Sequence, residues 1–90
     1  MKSIKKLLAE NEELIHSTMQ KVESHVQRRT DNWINNTVLI ENQQVPFKYK
    51  RQKIYKSLKG ARVDLIYYPS VEIVANMEFE IMKVVKINIS

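Results

Sequence analysis

The sequence predicts an α+β domain, in which an N-terminal amphipathic helix packs on a strongly curled, mainly antiparallel sheet or small barrel of about five strands. Two observations predict this class: apolar residues recur every three or four positions over the first third of the chain, and they alternate over the remainder. Ninety residues form a single domain, 1–90. A hydrophobic fraction of 43% with 28% charged residues is typical of a globular chain and argues against disorder.

The helix is predicted over residues 3–29. On a helical projection its apolar side chains fall on one face, and these are Ile4, Leu8, Ile15, Met19, Val22 and Val26. A straight helix of this length would span about 40 Å, more than the width of the β-rich part. It would then either overhang and pair with a second copy or break at Asn11, a good cap followed by two acids. The second interpretation gives a helix over 11–30 and leaves 1–10 as a separate arm or short helix.

The β-rich part covers residues 37–89 and follows a predicted turn at 31–36. Alternating apolar and polar residues predict strands at 37–40, 45–50, 61–68, 71–75 and 78–89. Pro69 is expected to end the third of these, and a bulge near residues 82–84 to bend the last. Residues 52–58 fit a helical turn and a strand equally well. Trp33 is expected to plug the junction between helix and sheet.

The charge of the chain is concentrated in residues 47–62. This basic segment holds seven cations, three aromatic residues and no acid, whereas the other 74 residues hold eight cations and ten acids. The net charge of +5 therefore comes from one stretch. A charge concentrated in this way attracts polyanions, and interleaved aromatic rings can stack on exposed bases.

The sequence accordingly favours a small non-enzymatic nucleic-acid-binding domain. The residues expected to neutralise phosphates are Lys48, Lys50, Arg51, Lys53, Lys56, Lys59 and Arg62, with Tyr49 or Tyr55 as the stacking platform. A single strand or RNA is preferred over duplex DNA, because the predicted helix is too acidic to act as a recognition helix. The structural alternative is that Tyr49 packs inside while the lysines keep a β-edge soluble.

The alternative function is a protein–protein interaction or homo-oligomerisation module. It would use the amphipathic helix to form a homodimer, with the basic segment binding an acidic protein partner. The overlong helix and the edge strand interrupted by Pro46 favour this interpretation.

Several function classes are excluded by the residues that the chain lacks. The absence of cysteine removes disulfides, thiolate catalysis and zinc–cysteine sites, and it fits a cytoplasmic protein. His16 and His25 would lie on opposite sides of one helix, and no HExxH or glycine-rich phosphate motif occurs. No secretory signal or membrane span is visible. We therefore expect no enzymatic activity, no metal, no cofactor and no membrane partner.

A strongly curled five-strand sheet with a basic face resembles OB-like and SH3-like barrels. The resemblance rests on architecture alone, without motif residues, and it does not establish a function.

Overall fold

The computed structural model describes residues 14–90, which form an all-β barrel of five strands. These are β1 (Ile15–Thr30), β2 (Trp33–Ile40), β3 (Phe47–Arg51), β4 (Arg62–Val74) and β5 (Met77–Ile89). They close into a ring in the order β1-β2-β3-β5-β4, in which the β3–β5 pair is parallel and the other pairs are antiparallel. Residues 14–90 contain no helix, and hence none long and apolar enough to cross a membrane.

The predicted α+β class is wrong, because the segment assigned to the helix over 11–30 is strand β1 where the structure describes it. Val22 from the predicted apolar face is buried in the barrel, but Met19 and Val26 are exposed on its outside. The predicted break at Asn11 and the arm at 1–10 lie outside the described residues.

Two bulges interrupt the alternation of side chains in β1. Thr18 and Met19 together oppose a single residue of β4, and Glu23 is an extra residue opposite β2. Each bulge advances the alternation by one position, so no uninterrupted period of two runs through the strand. The less exposed residues of β1 are Ser17, Gln20, Val22, Ser24, His25 and Gln27, and all of them except Val22 are polar. The apolar–polar alternation that predicts a strand is therefore absent from this segment.

The core lies inside the ring and receives side chains from all five strands. Its buried members are Val22, Val38, Ile40, Phe47, Val63, Leu65, Tyr67 and Ile87. Alternate residues of β4 from Val63 to Tyr67 share the buried face, within the strand predicted at 61–68. Phe47 meets Tyr67 edge to face, with ring centroids 4.7 Å apart, a favourable arrangement of two aromatic quadrupoles.

Two further element predictions need correction. The turn predicted at 31–36 is confined to Asp31 and Asn32, so β2 begins at Trp33. Trp33 is 44% exposed at the end of the barrel and plugs no junction between helix and sheet in the described part of the chain. Pro69 does not end a strand, since β4 continues through it. Proline is tolerated there because, in the described part of the chain, β4 pairs with β1 only up to Tyr67 and has a free edge beyond that residue.

The last strand bends close to the predicted place. The pairing of β4 with β5 shifts register at Val85, just after residues 82–84, where the bulge was predicted. Residues 52–58 form neither helix nor strand.

Candidate nucleic-acid groove

A groove of about 930 Å³ runs along the outside of the barrel. Its floor is the outer face of β1, β2 and β3, because the alternation that buries Ile34 and Val38 turns Asn35 and Thr37 outward. Its wall is the hairpin formed by β4 and β5. The floor residues used below are Arg28, Asn35, Thr37, Lys48 and Lys50, and the wall residues are Glu72, Ile81 and Lys83.

The strand register brings the cations of the floor together. Asn35 is paired with Arg28 on one side and with Lys50 on the other, so these three residues form one row across the sheet. Thr37 and Lys48 are paired in the next row, which continues to Lys83 on β5. Neighbouring strands lie about 4.8 Å apart, so the four cations cover a compact surface.

The wall of the groove carries one acid among the lining residues, Glu72. Its Oε1 accepts a hydrogen bond from Nζ of Lys48 at 2.7 Å. The two side chains are 38% and 33% exposed, so water screens the pair.

The wall is part of a longer hairpin, here called the arm, residues 68–81. β4 leaves β1 after Tyr67 and β5 joins β3 at Met82, so within residues 14–90 the strands of the arm pair only with each other. Apolar side chains of the arm are exposed, namely Val71, Ile73, Val74, Met77 and Phe79. Phe79 is the cross-strand partner of Glu72 and therefore lies on the same face of the arm as the groove wall.

Arg51 is held at the end of the barrel, outside the groove. Its guanidinium carbon lies 5.4 Å from the ring centroid of Tyr49 and 5.3 Å from that of Tyr55. Both distances are typical of cation–π contacts. Burial raises the pKa of the Tyr49 hydroxyl, although the charge of Arg51 partly opposes that shift. Both rings therefore have an intramolecular stacking partner.

Residues 52–61 follow Arg51 and are here called the loop. Hydrogen bonds fix the loop to β1. The side-chain amide of Gln27 donates to the carbonyl of Tyr55 at 2.7 Å and accepts from its N–H at 3.2 Å. Nδ1 of His25 accepts from the N–H of Leu58 at 2.9 Å. The loop then rejoins β1 where Gly60 N–H donates to the Val22 carbonyl at 2.8 Å. Gly60 has φ +83°, a conformation in which glycine costs least.

The predicted site residues are distributed over four places. Lys48 and Lys50 lie in the groove, and Arg51, Tyr49 and Tyr55 form the stack at the end of the barrel. Arg62 is the first residue of β4, and its Nη1 donates a hydrogen bond to the carbonyl of Met19 at 3.1 Å. The remaining three are exposed on the loop, and these are Lys53, Lys56 and Lys59.

Sequence reasoning missed Arg28, Glu72 and Lys83. Arg28 was assigned to a helix end, and the other two residues join the site only through the pairing of β5 with β3 and β4. One signal could have found the floor, since residues 33–40 alternate between outward polar and inward apolar side chains at several positions.

The described residues contain no group of three or more histidine, aspartate or glutamate side chains that could hold a metal ion. Comparisons with protein-family models, with curated proteins and with solved structures find no significant match to this chain.

Proposed function

We propose that this chain is a small non-enzymatic nucleic-acid-binding domain that holds a single strand, RNA or DNA, in the groove. The observation that carries the proposal is the composition of the groove. Among residues 14–90, four of its lining side chains are cations, namely Arg28, Lys48, Lys50 and Lys83, and one is an acid. Cations on a concave surface focus the electrostatic potential and favour a polyanion over a small anion.

The loop adds to the positive field beyond the end of β3. Its three lysines are exposed and it contains no acid. Because the loop is tied to β1 at Gln27 and His25, these charges have a defined place on the protein surface. A strand that leaves the groove past Lys50 would meet them next.

Exposed aromatic rings next to the groove favour a single strand over a duplex. Trp33 is paired with Thr30, a groove residue, and Phe79 is paired with Glu72. The two rings are 44% and 46% exposed. Stacking of a base on such a ring needs a base that is not already paired. Within residues 14–90 there is also no helix that could enter a major groove.

The architecture supports the same class of ligand. Five-strand barrels of the OB type bind oligonucleotides across the face of their second and third strands, and the floor of this groove includes the outer face of β2 and β3. This is an argument from resemblance, and the residues of the groove carry the proposal.

The test is fluorescence anisotropy with labelled single-stranded RNA, single-stranded DNA and duplex DNA over a salt series. Three phosphate contacts on a single strand, one for each groove cation other than Lys48, which is paired with Glu72, predict a slope of log K against log salt of about −2.1. Reversing two floor cations, Arg28→Glu with Lys50→Glu, should weaken binding at least tenfold, about 1.4 kcal/mol.

A matched control reverses two exposed cations outside the groove, Lys21→Glu with Lys86→Glu, and changes the net charge by the same amount. Equal losses in the two double variants would mean that net charge alone attracts the probe. Absence of binding to all three probes at low salt would refute the proposal.

Self-association is a second candidate function, favoured by the arm. The arm carries Glu72, Glu78 and Glu80 and no cation, whereas the loop carries three lysines and no acid. An arm of one copy and the loop of a second copy are therefore complementary in charge, and exposed Ile73 and Ile54 could pack between them. The helix face predicted from the sequence does not support this function, because residues 15–30 form strand β1.

Light scattering over a range of protein concentration and salt tests the second candidate. Glu78→Lys with Glu80→Lys should abolish association if it occurs, and a mixture of this variant with Lys53→Glu/Lys56→Glu should restore it. A monomer at every concentration and salt would refute this candidate.

A further inference from the structure

We infer that Glu72 is an internal competitor for the ligand's phosphate: its carboxylate pairs with the ammonium of Lys48 in the groove and so sets the affinity and salt dependence of binding. This inference rests on the proposed function and names a residue that regulates the same site.

The position of Glu72 supports this role. Its carboxylate is the acid among the groove's lining residues, and it lies 2.7 Å from an ammonium that the register places next to Lys83. Two neighbouring ammonium groups repel each other and favour a bound anion between or beside them. In the structure the arm supplies that anion.

The ion pair between Glu72 and Lys48 is weak enough for a phosphate to replace the carboxylate. Both partners are about one third exposed, and ion pairs with such exposure contribute little to stability because solvent screens them. A phosphate oxygen can make the same charge-assisted hydrogen bond to Lys48. A phosphate must therefore displace the Glu72 carboxylate to reach Lys48, and the carboxylate competes with it for that contact.

The arm provides a matched control for this charge. Glu78 is paired with Ile73, one position along β4 from Glu72, so its side chain lies on the opposite face of the hairpin. Glu78 is exposed and lines no part of the groove. Glu72→Gln and Glu78→Gln change the net charge equally, but only the first frees Lys48.

The experiment compares wild type, Glu72→Gln and Glu78→Gln with a labelled single-stranded oligonucleotide over a salt series. We expect Glu72→Gln to bind three- to tenfold more tightly at low salt. Its salt slope should be steeper by about 0.7, as one additional phosphate contact predicts. Glu78→Gln should stay within twofold of wild type. In a Lys48→Gln background the gain from Glu72→Gln should largely disappear.

The outcomes separate this inference from the proposed function. Binding by wild type with equal behaviour of the two glutamine variants overturns the role of Glu72 and leaves the proposed function standing. Weaker binding by Glu72→Gln also overturns it, since Glu72 would then position Lys48 for the ligand. Absence of binding by wild type and by every variant overturns the proposed function itself.

Discussion

The backbone N–H of Leu58 donates a hydrogen bond of 2.9 Å to Nδ1 of His25, and this bond determines the tautomer of the imidazole. A backbone N–H can only donate, so Nδ1 is unprotonated and the ring hydrogen is on Nε2. Nε2 then donates to Oδ1 of Asn36 at 2.8 Å, while the amide of Asn36 donates to the Ile34 carbonyl at 3.1 Å. The buried Asn36 side chain is thereby satisfied, and the loop is linked to the interior of the barrel.

Removing this imidazole should destabilise the domain and release the loop. His25→Ala leaves Oδ1 of Asn36 and the N–H of Leu58 without their partners, which should lower the free energy of unfolding by about 1–3 kcal/mol. Urea unfolding measures the loss, and hydrogen exchange of the Leu58 amide reports on the loop.

His25→Asn provides the matched comparison, because its short side chain carries an oxygen that can accept from Leu58. We expect a smaller loss of stability and partial protection of the Leu58 amide. Equal stability of His25→Ala and wild type would show that the hydrogen bonds do not hold the loop.

The burial of Tyr49 predicts a dependence of stability on alkaline pH. The pKa of Tyr49 is raised in the folded protein by burial, with Arg51 opposing the shift, so the unfolded chain ionises first. The contribution of Tyr49 is therefore fully present below the unfolded pKa of about 10 and is lost as pH rises through the folded value. Unfolding by urea between pH 8 and 11 should show this loss in wild type. The loss should be smaller in Tyr49→Phe, and parallel curves for the two proteins would contradict the assignment.

The sequence predicted strands where alternation was regular and missed β1 where bulges disturb it. The strand predicted at 45–50 contains most of β3, because no irregularity interrupts the alternation of Phe47 and Tyr49 with Lys48 and Lys50. In β1 the bulge places Met19 at φ +56°, and its N–H donates to the side chain of Asp64 on β4. The local sequence does not indicate this partner, because it is 45 residues away. Tertiary pairing overrode the local pattern there.

The candidate groove was predictable only in part for a similar reason. Lys48 and Lys50 were identified by their charge, but the acid that faces Lys48 is 24 residues away and on another strand. Its position depends on the parallel pairing of β3 with β5 and on the length of the arm, which follow from how the whole sheet closes.

The bulge in β1 predicts a dependence of stability on acidic pH. Asp64 accepts hydrogen bonds from the Ser90 hydroxyl at 2.5 Å and from the N–H of Met19 at 3.0 Å, and these lower its pKa in the folded protein. The ionised Asp64 therefore stabilises the folded protein at pH values above its unfolded pKa of about 4. This stabilisation is lost as the pH falls through the folded pKa.

The effect of Asp64 can be isolated with Asp64→Asn, which keeps an acceptor oxygen but does not titrate. Urea midpoints between pH 2 and 6 should fall less steeply for the variant than for wild type. An unchanged pH profile would show that the Asp64 carboxylate does not couple to folding.

The tip of the arm predicts a stabilising substitution. Ala75 and Asn76 form the two-residue turn between β4 and β5 with φ +50° and +66°, a pattern that suits a type I′ turn. Alanine is strained in this region, whereas glycine is not, so Ala75→Gly should stabilise the arm by about 0.5–1 kcal/mol after the larger chain entropy of glycine is subtracted. Amide hydrogen exchange at Val74 and Met77 should slow by a factor of about two to five. The control Ala61→Gly lies next to Gly60, outside the arm, and should leave that exchange unchanged. Faster exchange in Ala75→Gly would mean that the arm gains more from a stiff residue at its tip than it loses to backbone strain.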